Sequence, residues 1–272
     1  MHWQRQIEFL TPTFCRGAYQ DTPEIRAPSI RGMVRWWYRA LHGPPAHVGG
    51  HHRGWETVWR EEKELFGGVG GGATASRLVF RVLEITGHPA EHTTLPHKPS
   101  AGQRSPQAAF DPGGTFTLQV TSRLRPLSAM DMRKVENALE LWLLLGALGL
   151  RSNRAGGSLW PEAAHAPRTA TELRQKLDQL GCRWPVYLAD VSVGTSLDAL
   201  RPAATDTLEE PQWVFGSASR DRLASPLKFK VVRLDGQLRL LITAPDERVI
   251  TEARQALRGH RSQPDTWKRI GA

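Results

Sequence analysis

Residues 28–41, PSIRGMVRWWYRAL, restrict the fold of this chain more than any other stretch. Pro28 and Ser29 suit a helix start, with the Ser29 hydroxyl placed to cap the first turn, and Gly43-Pro44-Pro45 stops it. Ile30, Met33, Val34, Trp37 and Leu41 recur at the three- and four-residue steps of one helix face, so that face belongs to a core. Arg31, Arg35 and Arg39 recur at steps of four on another face, about 6 Å apart along the axis. No acidic residue lies between Glu24 and Glu56, so nothing within this helix neutralises the ladder. It calls for a polyanion, or for acids supplied from elsewhere in the fold.

Strands are expected over 6–10, 77–85, 114–125 and 186–193, and helices over 55–66, 128–145, 171–180 and 247–258. Ser128 and Asp131 give the third helix a capping-box-like start, and its apolar residues run nearly all round, which predicts burial. Residues 227–234 and 238–243 pair as a hairpin across Asp235-Gly236. Residues 86–112 are rich in Pro, His, Ser and Gly without periodicity, and with 43–54 they read as mobile excursions. The first half therefore orders as strand, helix, strand, strand, helix, strand. This predicts an α+β, ferredoxin-like (RRM-like) plan over residues 1–165, with insertions at about 43–75 and 86–112. Residues 166–272 would form a second, smaller module, a reduced copy of the first or an accessory one.

The net charge of +9 favours an acidic partner, with nucleic acid first among them. Two cysteines, Cys15 and Cys182, are too few for a disulfide framework or a four-cysteine zinc site. His42, His47, His51 and His52 cluster, but no cysteine or carboxylate stands at ligand spacing, so no metal and no cofactor is expected. Gly67–Gly72 lacks the Gly-Lys-Ser/Thr of a phosphate loop. No apolar leader and no run of 18 apolar residues is present, which predicts a cytoplasmic protein with no membrane partner.

The second informative stretch is residues 146–158, where Arg151, Ser152, Arg154, Gly156, Gly157 and Ser158 follow the buried helix. Glycines allow close approach of backbone to a ligand, serine and N–H groups donate to phosphate, and arginines clamp it. The expectation is a groove for a nucleic-acid backbone, shared with Arg31, Arg35 and Arg39, its arginines pointing outward. Arg16, in the 15–28 loop, and Arg220 and Arg222, in the irregular 201–225 stretch, extend the basic set. No catalytic set is legible: there is no Gly-x-Ser-x-Gly, no His-Glu-x-x-His and no His-Asp dyad, and Asp21 reads as a turn former.

Thr11-Pro12-Thr13-Phe14, Pro28-Ser29-Ile30-Arg31-Gly32-x-x-Arg35-Trp36-Trp37-x-x-Ala40-Leu41, Leu65-Phe66-Gly67 and Gly149-x-Arg151-Ser152-x-Arg154-x-Gly156-Gly157-Ser158 together resemble the RAMP superfamily of CRISPR RNA-binding proteins. Within it they are most similar to the subunits numbered first in Cmr (type III-B) effector complexes. Ala224-Ser225-Pro226-Leu227, in front of the hairpin, is similar to that family's C-terminal half. The resemblance implies ferredoxin-like modules, contact with guide (CRISPR) RNA and target RNA near the guide 3′ end, partnership with other Cmr subunits in antiviral defence, and no nuclease activity. The chain is short for this family, which implies a trimmed second half. The alternatives are a RAMP endoribonuclease acting on guide precursor or target RNA through Asp21 or a histidine, and a basic scaffold for acidic proteins.

Overall fold

A computed structural model of the chain describes residues 1–19, 21–44, 53–70, 72–98, 106–217, 222–260 and 262–271. The elements follow the order β1 (His2–Phe9), α1 (Ala27–His42), α2 (Arg53–Phe66), β2 (Leu78–Leu83), β3 (Pro89–His92), β4 (Gln107–Phe110), β5 (Thr115–Ser122), α3 (Ala129–Leu145), β6 (Leu159–Pro161) and α4 (Ala170–Gln179). There follow β7 (Val186–Ala189), a 3₁₀ turn (Val191–Val193), α5 (Leu197–Thr205), α6 (Gln212–Phe215), β8 (Lys228–Leu234), β9 (Gln237–Thr243), α7 (Glu247–Ala256) and β10 (Trp267–Gly271).

The first sheet has the order β2-β5-β1-β6 and every pair in it is antiparallel. Alternation along β1 buries Trp3, Ile7 and Phe9 and leaves His2, Gln4 and Gln6 exposed, as expected of a sheet covered on one face. Helix α1 packs along α3. The side chains of Gln4, Gln119, Arg81 and Thr121 join across the opposite face, which is therefore polar.

The second sheet has the order β10-β7-β9-β8, again antiparallel throughout. Its strands and helices run strand, helix, strand, strand, helix, strand, the connectivity of the first sheet. This sheet has four strands, and β10 and helix α5 are among the elements of this half that the sequence did not predict. The Asp235-Gly236 turn has both residues at positive φ, 53° and 73°, as a type I′ hairpin requires.

The excursion over 86–112 is ordered where it is described. Strands β3 and β4 pair with each other, Phe110 stacks on Phe9 at 5.4 Å, and Thr13 bridges Phe110. The Arg201 guanidinium donates to the Thr93 carbonyl at 2.6 Å, tying the excursion to the second half. Residues 45–52, with His47, His51 and His52, lie outside the described residues. No helix among the described residues is long and apolar enough to cross a membrane.

Candidate nucleic-acid interface

Helix α1 starts at Ala27 rather than at a Ser29 cap. Arg26 holds the N-cap position without a side-chain hydrogen bond, a proline stands in the first turn, and no acid is present there. The uncapped helix end therefore keeps its partial positive charge. Below it the ladder splits. Glu62 of α2, 1% exposed, accepts from Arg35 Nε at 2.6 Å and Arg39 Nη1 at 2.8 Å on one carboxylate oxygen. The fold itself supplies the missing acid, so Arg35 and Arg39 are held by the protein, which corrects their expected outward role. Arg31 makes no hydrogen bond or ion pair among the described residues.

Residues 146–158 also differ from expectation. The Phe229 N–H donates to Asn153 O and the Ala155 N–H donates to Phe229 O, both at 3.1 Å, so this loop runs parallel to β8 and extends the second sheet's edge. The N–H groups of Gly156, Gly157 and Ser158 are spent on Arg151 O, Pro12 O and Thr11 Oγ1. The Ser158 hydroxyl donates to Ala155 O and accepts from the Val231 N–H. Gly157 sits at φ 62°, and a Cβ there would lie 1.8 Å from Leu148 O. Gly156, Gly157 and Ser158 are buried, which removes them from any phosphate cradle.

Arg154 turns inward as well. Its guanidinium donates to Asn153 O, Ser225 Oγ, Leu227 O and Phe215 O, the last at 2.7 Å, and lies over the Phe229 ring. Burial, with the neighbouring Arg151 charge, lowers its pKa to about 10. Arg154 fastens the two halves rather than clamping a ligand.

Two further links tie the halves at the same place. Lys230 is fully buried, and its ammonium donates to the carbonyls of Leu143, Gly146 and Leu159, the end of α3 and the start of β6. Burial pushes its pKa well down, while the helix C-terminus and three acceptors offset that cost. Arg233 holds Glu8 through two bonds of 2.5 and 2.6 Å.

Of the cations expected at the ligand, Arg31, Arg151 and Arg222 are left without an ion-pair partner among the described residues. Arg151 is exposed, at φ 60°; its carbonyl accepts from the Arg154 and Gly156 N–H groups, while its guanidinium makes no hydrogen bond or ion pair among the described residues. Ser152 is half-buried beside it. Lys228 lies 4.3 Å over the Trp36 ring of α1 and donates to Asn153 Oδ1 at 2.7 Å. Burial and the Arg154 charge lower the Lys228 pKa to about 8. Sequence reasoning missed Lys228, whose only signal was a lysine opening a strand. Leu150 N–H bonds to Phe14 O, which brings the 14–16 segment alongside. Arg16 there donates to Gln107 Oε1 at 2.6 Å and is partly committed. Arg222 is exposed, and Arg220 lies outside the described residues. The open face of the first sheet carries Gln4, Gln119, Thr121 and Arg81, with His2 beside Gln119.

Asp21 is exposed and accepts from Thr22, as a turn residue does. The expectation that no histidine pairs with an aspartate is corrected: His92 Nε2 and Asp111 Oδ1 lie 2.5 Å apart, although His92 faces Gln107 at one end of the β3–β4 pair and Asp111 follows Phe110 at the other. No group of three or more potential metal ligands occurs among the described residues.

Comparison with known proteins gives these features a context. A family model described as the RAMP superfamily matches residues 6–160. The CRISPR system Cmr subunit Cmr1-1 of Pyrococcus furiosus is 29% identical over 170 residues, 57% of this chain and 46% of that protein. Subunit Cmr1-2 of the same organism is 49% identical over 37 residues, 14% of this chain and 20% of that protein. The chain thus matches less than half the length of either relative. Among solved structures, apo Cmr1 from Pyrococcus furiosus aligns with a TM-score of 0.62 at 18% identity, over 90% of this chain and 87% of that one. A chain of the type III-B Cmr-beta complex bound to cognate target RNA aligns with a TM-score of 0.53 at 11% identity, over 89% and 93%.

Proposed function

The chain belongs to the RAMP superfamily, and on that premise we propose that it is a non-catalytic, RNA-binding subunit of a type III-B (Cmr) CRISPR effector complex. It holds guide and target RNA by their backbones near the guide 3′ end, beside other Cmr subunits, in the cytoplasm. Each strand-helix-strand-strand-helix-strand set is read as one ferredoxin-like module, residues 1–165 and 166–272, on the strength of the sheet order that both share.

The observation that carries the reading is the set of cations the protein leaves unneutralised. Arg31, Arg151 and Arg222 have no carboxylate partner among the described residues, Lys228 is paired only to an amide and an indole, and the N-terminus of α1 is uncapped. Such a surface prefers phosphates, and phosphate contacts carry no base information.

The test is fluorescence anisotropy with single-stranded RNAs of unrelated sequence across a salt series. Arg31→Ala, Arg151→Gln and Lys228→Met should each flatten the log–log salt slope by about 0.7 per lost phosphate contact. Affinity should fall alike for all sequences. A slope near zero for the unaltered protein would mean that it does not bind RNA through phosphates. The second reading, an endoribonuclease, rests on the His92–Asp111 pair, a potential general base for a ribose hydroxyl. Labelled RNA shortened by the protein but not by His92→Ala would establish it and overturn the non-catalytic assignment.

A further inference from the structure

Arg151 opens onto a cleft of about 480 Å³ at the seam of the two halves, within the size range of small-molecule sites. Its walls come from four separate segments: Leu95 from the excursion, Arg151 and Arg154 from the seam loop, Leu208 and Glu209 after α5, and Phe215, Gly216, Ser217 and Leu223 from the end of α6 onward. Two of the wall leucines are unusually open, Leu208 at 37% and Leu223 at 46% exposure.

The cleft combines three chemistries. Its apolar part suits a flat ring. Its cationic part has no ion-pair partner, because all four Arg154 bonds go to uncharged oxygens and the Arg151 guanidinium makes no hydrogen bond or ion pair among the described residues. Holding two guanidiniums near each other without a carboxylate between them favours an anion. Its third part is the Glu209 carboxylate, which makes no ion pair among the described residues. An ionised carboxylate only accepts hydrogen bonds; an exocyclic amine offers it a donor at the ring edge, whereas the N3–H of uracil lies between two carbonyl oxygens that repel it, so the carboxylate favours a ring that carries an amino group.

We infer that this cleft binds one unpaired nucleotide with an amino-bearing base, its phosphate on Arg151, its ring against Leu208 and Leu223 and its exocyclic amine on Glu209. The inference rests on the RNA-binding reading and adds a base-contacting subsite to a surface otherwise limited to phosphates. It gives the bound strand a local preference for adenosine, cytidine or guanosine over uridine at one position.

The experiment is calorimetric titration of the full chain with AMP, CMP, GMP, UMP, adenosine and inorganic phosphate. In parallel, a single-stranded 20-mer is titrated across a salt series. AMP and CMP should bind saturably, about tenfold tighter than adenosine or inorganic phosphate alone and several-fold tighter than UMP. Leu223→Asp, at an exposed wall position, should keep the unaltered protein's melting temperature, lose nucleotide binding by about tenfold and leave the 20-mer salt slope in place. Glu209→Ala should erase the preference over UMP. Inorganic phosphate binding as tightly as AMP, or Leu223→Asp without effect on AMP, would overturn the subsite. If the 20-mer still shows a steep slope in that case, the backbone reading stands alone. If the 20-mer does not bind, both readings fall.

Discussion

Arg35 and Arg39 offer the sharpest test of how this surface divides between structure and function. Both guanidiniums rest on Oε1 of Glu62, whose side chain is 2% exposed, while their own side chains are 31% and 39% exposed. Replacing both with alanine strips a buried carboxylate of its charged donors, and breaking a buried pair from one side costs about 3–5 kcal/mol. Arg39, the more exposed partner, should contribute the smaller share because solvent screens it. In a chain of this size, about 2–4 °C of melting temperature is lost per kcal/mol, so the double variant should melt roughly 10 °C lower. Glu62→Gln placed in the double variant removes the stranded charge and should recover part of that loss, a coupling that a double-mutant cycle isolates. The RNA salt slope should be unchanged, since these guanidiniums are already engaged. A melting temperature within about 1 °C of the unaltered protein, with a flatter salt slope, would refute the reasoning and return both arginines to the ligand.

The remaining predictions concern the seam and its lysine. Lys228 is charged below a pKa of about 8 and neutral above it, so RNA affinity should fall as pH rises from 7 to 9, and Lys228→Met should remove that step; anisotropy at fixed ionic strength reads it. The unfolded chain keeps the Lys228 proton up to about 10.4, so this group should add stability as pH rises from about 8 toward that value, measured by urea denaturation. Gly157→Ala meets the Leu148 carbonyl and a positive φ at once, and should cost about 3 kcal/mol or more in thermal or chemical melts. Arg154→Ala should lower stability more than RNA affinity, because its donors serve the protein; a melting temperature unchanged with uniformly weaker RNA binding would restore the clamp.

The elements that announced themselves locally are those the residues near them determine. Ser128 accepts from the Asp131 N–H as a cap should, and Asp235-Gly236 takes the two positive φ values that its dipeptide favours. Elements that depend on distant partners were illegible. Helix α5 contains Pro202, and β10 is five residues with Lys268 and Arg269 exposed, so neither shows a clean period. The seam loop misled for the same reason: a glycine- and arginine-rich turn is written alike whether it cradles phosphate or slides beneath another backbone. What separates the two is β8, some seventy residues downstream, where Phe229 claims the loop's hydrogen bonds. The ladder was legible as a helix face, but Glu62 and its burial were not, since no period within α1 reports what α2 will lay across it.

The buried lysine at the seam also sets an order of events during synthesis. A ribosome adding about 5–20 residues per second delivers Lys230 roughly 4–14 s after Ser158. Arg233 follows Glu8 by 225 positions, a delay of about 11–45 s at the same rate. Between the synthesis of Leu159 and that of Lys230 the carbonyls of Leu143, Gly146 and Leu159, and the strand-like edge at 153–155, have no second half to meet. A nascent chain of this length therefore passes through a stage with an open, pairing-competent edge. Slowed translation across residues 160–230 would lengthen that exposure and raise the share of chains lost to aggregation, with no change in the stability of the finished protein.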